Sequence, residues 1–224
     1  MPFLYDESLA LKFPRLKQVN LESGRVYVAE DGAHAGDVLP SITRVLAAKP
    51  KPQLEAWKVR KGPEEAELIR ARASNRGNGL HHVSECYLGN LSMPKVWPHV
   101  AELWRFLQPW LTEHVTKVYG QEQNLCSFVL GVGGRTDLIA DVDGVFSIVD
   151  FKQADKPKKD ETVQDYYLQG TFYACAVYEH TRRLPKQIVL PVASPEGLQM
   201  FVTDPNQHLA ELRGRIAEFW QLTR

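Results

Sequence analysis

Residues 135–152 read RTDLIADVDGVFSIVDFK: two runs of alternating apolar residues joined by Asp143-Gly144. Asp-Gly favours a two-residue type I′ loop, because both central residues must take positive φ. Such a loop fixes the pairing, so Val142 faces Val145 and, counting outward, Asp137 faces Asp150. Carboxylates directly opposite on neighbouring strands lie about 5 Å apart at Cβ and repel. A cation between them removes that cost. Side chains alternate along a strand, so Lys152 shares the face of Asp150 and, in this register, lies beside Arg135. The other face carries Leu138, Ala140, Val142, Val145, Val149 and Phe151, apolar apart from Ser147, and should pack under helices.

Working outward, NLCSFVLGV (124–132) supplies a first strand, with Gly133-Gly134 as a break, giving a three-stranded antiparallel meander. A helix is expected from about Thr162 to Tyr178, then strands KQIVLPVAS (186–194) and LQMFVTD (198–204), then an amphipathic helix from about Pro205 to Leu222. Upstream, VWPHVAELWRFLQPWLTEHV (96–115) reads as a long helix whose aromatics belong to a core. Before it, QLEAWKVRK (53–61), PEEAELIRARASNR (63–76) and GLHHVSECYL (79–88) read as three helices punctuated by Gly62 and Gly77. Residues 16–31 form a hairpin turning at Ser23-Gly24, and Ser41 is the N-cap of SITRVLAA (41–48). The expected class is α/β (α+β), a mixed central sheet flanked by helices in the order α-β-β-β-α-β. Residues 1–75 form an N-terminal hairpin and helical elaboration on a 76–224 core, one compact domain overall.

The 224 residues have an average globular composition, which excludes disorder, collagen and coiled coil. Lys+Arg 27 against Asp+Glu 27 gives no net charge, so a polyanionic partner needs a local basic track. The candidates are Lys156, Lys158 and Lys159 after the last meander strand, with Lys58, Arg60, Lys61 and Arg76 from the helical side; each is otherwise a solvated surface charge. Trp57 either stacks on a base or packs its helix. Cys86, Cys126 and Cys175 are widely spaced and read as free thiols of a reducing compartment. No stretch approaches the roughly 20 apolar residues of a membrane span, and the N-terminus MPFLYDESLALKFPRL resembles neither a signal nor a transit peptide. A cytoplasmic protein, not secreted, is expected.

Two further pairs carry chemistry. His81 and Glu85 stand at i and i+4, an imidazole and a carboxylate on one helix face, with His82 pointing elsewhere. Gln169 and Tyr173 repeat that spacing and can either hydrogen-bond a phosphate or base, or pack on the sheet.

Taken together, SITRVL (41–46), RGNGLHHVSECYL (76–88), GRTDLI (134–139), IVDFKQADKPK (148–158) and LQGTFYACAV (168–177) resemble the PD-(D/E)XK nuclease superfamily, restriction-endonuclease-like in its core. Within it they resemble the RecB-like branch, including the mitochondrial genome maintenance exonuclease and related bacteriophage exonucleases. The resemblance implies that Asp137, Asp150, His81 and the backbone carbonyl of Phe151 hold a catalytic metal, that Lys152 is the motif lysine, and that Glu85 completes the acidic cluster. Gln169 and Tyr173 would place the substrate strand, and Glu122, read as preceding the meander, would match a family acid. Oxygen ligands with one imidazole suit Mg²⁺ or Mn²⁺ better than zinc, and three scattered cysteines do not suit an iron–sulfur cluster. The implied function is a metal-dependent exonuclease acting on single-stranded or duplex DNA ends, monomeric, in bacteriophage DNA replication, recombination or degradation in the host bacterial cytoplasm, with replication or recombination proteins as partners. A structure-specific endonuclease and a non-catalytic DNA-binding or replisome module are the alternatives.

Overall fold

The computed structural model describes residues 2–223. Its centre is the expected hairpin, β5 (Val132–Val142) and β6 (Val145–Val149), paired Val142↔Val145 through Leu138↔Val149. Asp143 and Gly144 have φ 50° and 77°, the two positive values that a type I′ loop requires. On its other edge β5 pairs antiparallel with β4, which runs from Val115 to Ser127 and so begins nine residues before the expected strand, at the very end of the preceding helix. Phe128–Gly131, read as part of that strand, form the turn.

Beyond Val149 the chain leaves β5. The short strand β7 (Lys152–Gln153) pairs parallel with β8 (Gln187–Ser194), and it keeps the offset that β6 has with β8, Val149↔Val189 becoming Lys152↔Val192. β6 and β7 are therefore one line beside β8, while β5 diverges toward β4. Lys152 does not lie beside Arg135, because Arg135 pairs with Asn124 and Lys152 with Val192. The sheet opens as a fork just past Leu138 and Val149. β9 (Gly197–Thr203) closes the far edge, antiparallel to β8.

Helices cover both faces. The face of Leu138, Ala140, Val142, Val149 and Phe151 packs on α3 (Pro63–Leu88) and α4 (Pro98–His114), through Leu80, Leu103, Leu107 and Leu111 among others. Val145 departs from the expected face, standing partly exposed beside the turn. Ser147, the polar residue of that face, is buried but satisfied: its hydroxyl donates to Val145 O and accepts from Gln187. Ile139 and Ile148 point the other way, onto α1 (Ile42–Ala47), α5 (Gln164–Thr181) and α6 (Leu209–Leu222). Ser41 caps α1 by accepting from Arg44 N. Gly77 interrupts nothing, since α3 is one continuous helix of 26 residues. Its N-terminal neighbour α2 (Pro52–Lys61) buries no residue, and Trp57 is only half-buried.

The N-terminal hairpin, β1 (Leu16–Leu21) and β2 (Gly24–Ala29), gains a third strand, β3 (Val38–Pro40), and this small sheet leans on β5. Gly133 makes that contact possible, and Gly134 makes room for α5. They lie inside β5 rather than at a break: a Cβ on Gly133 would stand 2.8 Å from Tyr27, and one on Gly134 2.8 Å from Tyr173. Gly133→Ala is accordingly expected to overpack this seam, costing about 1–3 kcal/mol and lowering the melting temperature by about 2–4 °C for each kcal/mol. A thermal melt indistinguishable from wild type would show that the seam yields freely.

Candidate active site

The fork positions the site. Asp150 N–H still donates to Val189 O of β8, but the next amide, Phe151 N–H, no longer has a strand to meet. It donates instead to Asp137 Oδ2 at 2.7 Å. A side-chain carboxylate thus takes the place of a ladder carbonyl where β5 and β7 part. Asp137 and Asp150 remain on facing positions one step past the last backbone pair.

On the opposite flank of Asp137 stands Glu122. The ladder pairs Gln121 with Leu138 and Gln123 with Thr136, which sets Glu122 across from Asp137. Glu122 adopts φ 45°, a left-handed conformation that costs a residue with a side chain about 1–3 kcal/mol and is held by its surroundings. Arg135 Nε donates to Glu122 Oε2 at 2.9 Å and helps hold it. Glu122 therefore belongs to β4, the first strand of the meander, and does not precede it. His81, from the middle of α3, completes the group: Nδ1 lies 3.2 Å from Asp137 Oδ1 and 3.9 Å from Glu122 Oε1. Ligand atoms of His81, Glu122 and Asp137 all lie within 4.8 Å of one another.

Lys152 occupies the inner side of the fork. Its ammonium lies against Asp150 Oδ2 as an ion pair and donates to Gln169 Oε1 at 3.3 Å, while Gln169 Nε2 donates to the buried Tyr173 hydroxyl at 2.9 Å. Asp150 is fully buried, and its Oδ1 has no hydrogen-bond partner. Unsatisfied buried carboxylate oxygens are costly and mark a site built for something else to enter.

The charge states follow from this packing. Burial opposes ionisation of Asp137, but His81, Lys152 and the Phe151 N–H together outweigh it and hold the carboxyl below the ordinary range. Burial likewise opposes the charge on His81, and Asp137 with Glu122 more than restores it, pushing the imidazole up to about 10. Asp150 is raised to about 6, chiefly by burial and further by Asp137, against the pull of Lys152. Lys152 is held above its ordinary value because Asp150 and Asp137 outweigh its own burial. In this state His81 serves as the cation between two acids.

All these groups line one open cleft of about 550 Å³. Glu85 and His82 stand at its rim, about half and nearly two-thirds exposed, with Glu85 outside the His81–Glu122–Asp137 trio. The cleft also collects Arg25 of β2, Thr43 of α1 and Asn78 of α3, which were not singled out as site residues, and Arg135 of β5, which was placed beside Lys152 but not assigned to the site. The expected basic track lies elsewhere. Lys156, Lys158 and Lys159 are outside the cleft, Lys58 and Lys61 are paired with Glu55 and Glu65, and Arg60 is exposed on α2. Arg76 is held by Gln153 and Asp155. No described helix is long and apolar enough to cross a membrane.

Comparison with known proteins adds a family. None of the curated proteins matches the chain. A solved structure, the crystal structure of SSO0001, is similar over 81% of this chain and 74% of its own, at 12% identity and a TM-score of 0.46. The family model of the PD-(D/E)XK nuclease superfamily matches residues 52–222, a span that holds the fork, His81, Glu122, Lys152 and the Gln169–Tyr173 pair, and the chain belongs to that superfamily.

Proposed function

We propose that this protein is a divalent-metal-dependent deoxyribonuclease that hydrolyses phosphodiester bonds from DNA ends. The observation that carries the reading is the convergence, at the fork of the sheet, of three acids and an imidazole with a half-buried lysine paired to one of the acids. The donor set fits the ion: carboxylates with one imidazole match a hard cation such as Mg²⁺ or Mn²⁺, and Asp150 Oδ1 is a buried acceptor without a partner. Asp137, Asp150, Glu122 and His81 would hold it. The Phe151 carbonyl joins them in this reading, since along an extended strand a residue's C=O points to the same side as its own N–H, and that N–H faces Asp137. A bound divalent cation supplies charge neutralisation at the phosphate and a water acidic enough to attack near neutral pH.

The chain's own groups do the rest. Lys152, held above its ordinary pKa, is a donor at neutral pH, which favours orienting the attacking water and stabilising the charge of the transition state over abstracting a proton. Gln169, fixed by Tyr173, keeps the ammonium aimed. Arg25 brings positive charge to the cleft wall and would grip a phosphate next to the scissile one, while Arg135 holds Glu122 in place. Glu85 at the rim is the outer acid. The preference for ends is supported by the order and spacing of the five segments between residues 41 and 177.

End-labelled linear DNA and covalently closed circles, single- and double-stranded, incubated with Mg²⁺, Mn²⁺ or chelator, test this reading. The expected result is loss of linear DNA alone, stopped by chelator. Cutting of circles would instead identify an endonuclease on the same site, and inert protein that still binds DNA would identify a binding module.

A further inference from the structure

We propose that the cleft continues over α3 into a groove that binds a single-stranded nucleic-acid segment, with Trp97 as its stacking platform. Asn78 and His82 line both the cleft and the adjoining groove, whose other wall is formed by Lys95, Trp97, His99 and Val100. The two hollows therefore share a border rather than being separate depressions. Asn75 and His99 lead on from the groove to a third hollow that holds Arg72 and Arg76.

The chemistry of the walls selects the occupant. No carboxylate is among the residues lining the groove, although the chain as a whole has as many acids as bases. Its polar lining is a lysine, two histidines and two asparagines, set with the indole of Trp97 among Val83, Pro94, Val96 and Val100. A lysine with no carboxylate beside it and an exposed aromatic ring suit a single strand, the charge meeting a phosphate and the ring taking a base face. Inside a duplex both faces of each base are already stacked, so an internal base has none to offer such a ring.

Trp97 is built for that role. It is 72% exposed, whereas Trp104 and Trp110 of α4 are buried in the core. It precedes Pro98, the first residue of α4, and follows Pro94 by three positions. Two prolines restrict this connection, so the indole is held outward with little freedom to lose on binding. The floor is equally specific: a Cβ on Gly79 of α3 would stand 2.7 Å from Val100, so the glycine lets the start of α4, and Trp97 with it, lie close against α3.

The inference rests on the reading that the cleft takes nucleic acid, and its test separates the two. Binding of short and long fluorescent oligo(dT) to the full chain is measured in chelator, so that turnover plays no part. Trp97→Ala is expected to weaken the long oligonucleotide about tenfold and the short one much less, with Trp97→Phe restoring most of the loss. Lys95→Ala should reduce the slope of log affinity against log salt by about 0.7, one single-strand phosphate contact. Equal affinities of wild type and Trp97→Ala, or a Trp97→Phe variant with an unchanged thermal melt that binds as weakly as Trp97→Ala, would overturn the groove. Wild type that binds through Trp97 yet cleaves no DNA with either metal would overturn the nuclease reading and leave the groove standing.

Discussion

Asp150→Asn is expected to cut DNA on the order of 10³-fold more slowly than wild type at saturating metal, the scale of losing one charged partner of a transition state, without melting at a lower temperature when metal-free at pH 8. Both halves come from the same fact. Asp150 is buried, its Oδ1 has no partner, and its carboxyl is raised to about 6. A carboxyl whose folded pKa lies above the unfolded value of 3.8 favours the fold below that value, and the benefit is lost as pH rises through about 6. Above pH 6 the fold therefore carries an ionised group that it disfavours, which the amide removes. Lys152 keeps Asp137 and Gln169 as neighbours. Lys152→Ala is expected to lose about 10²–10³-fold in rate while holding metal as wild type does, because lysine contributes no ligand atom. Single-turnover cleavage and metal titration of the two variants distinguish a lost ligand from a lost donor. Cleavage by Asp150→Asn within about tenfold of wild type, well short of the loss expected for a transition-state partner, would remove Asp150 from the site.

What the sequence revealed and concealed here divides along one physical line. The β5–β6 hairpin was legible because Asp143-Gly144 encodes its own backbone and the turn then counts out the pairs. That count stops at Leu138 and Val149, since the partner of Lys152 is chosen by Val192, forty residues further on, and no local signal records the choice. Glu122 was misplaced for a related reason. Its surroundings, GQEQN, lack apolar alternation, so a strand looked like a loop. Gly133-Gly134 shows that a glycine pair marks either a turn or a close approach, and only the positions of Tyr27 and Tyr173 decide which. For Trp97 a signal did exist. Proline is favoured at the first position of a helix, so Pro98 places Trp97 before α4 and outside its buried stripe.

Metal affinity should rise about tenfold per pH unit between pH 7 and pH 9, and about a hundredfold per unit below pH 6, because a bound ion must displace protons held by His81 and Asp150. His81 bridges Asp137 and Glu122 as an imidazolium, with its pKa pushed up to about 10. An imidazolium has no lone pair for a metal, so one proton leaves for each ion bound at any pH below about 10. Asp150 contributes a second proton below about 6. The metal-free protein should show the reverse trend. His81, raised from 6.5, stabilises the fold fully below that pH and loses its contribution as pH rises through about 10, and Asp150 acts in the same direction between 3.8 and about 6. Melting temperature without metal should therefore fall from pH 5 to pH 9, while the increment given by Mn²⁺ grows. Calorimetric titration in buffers of different ionisation enthalpy counts the protons directly, with one expected near pH 8. His81→Gln, which carries no proton to displace, should bind the ion more weakly and with almost no pH dependence above pH 7. A wild-type affinity flat between pH 7 and pH 9 would mean that His81 is not a ligand, and the ion would then rest on Asp137, Glu122 and Asp150 alone.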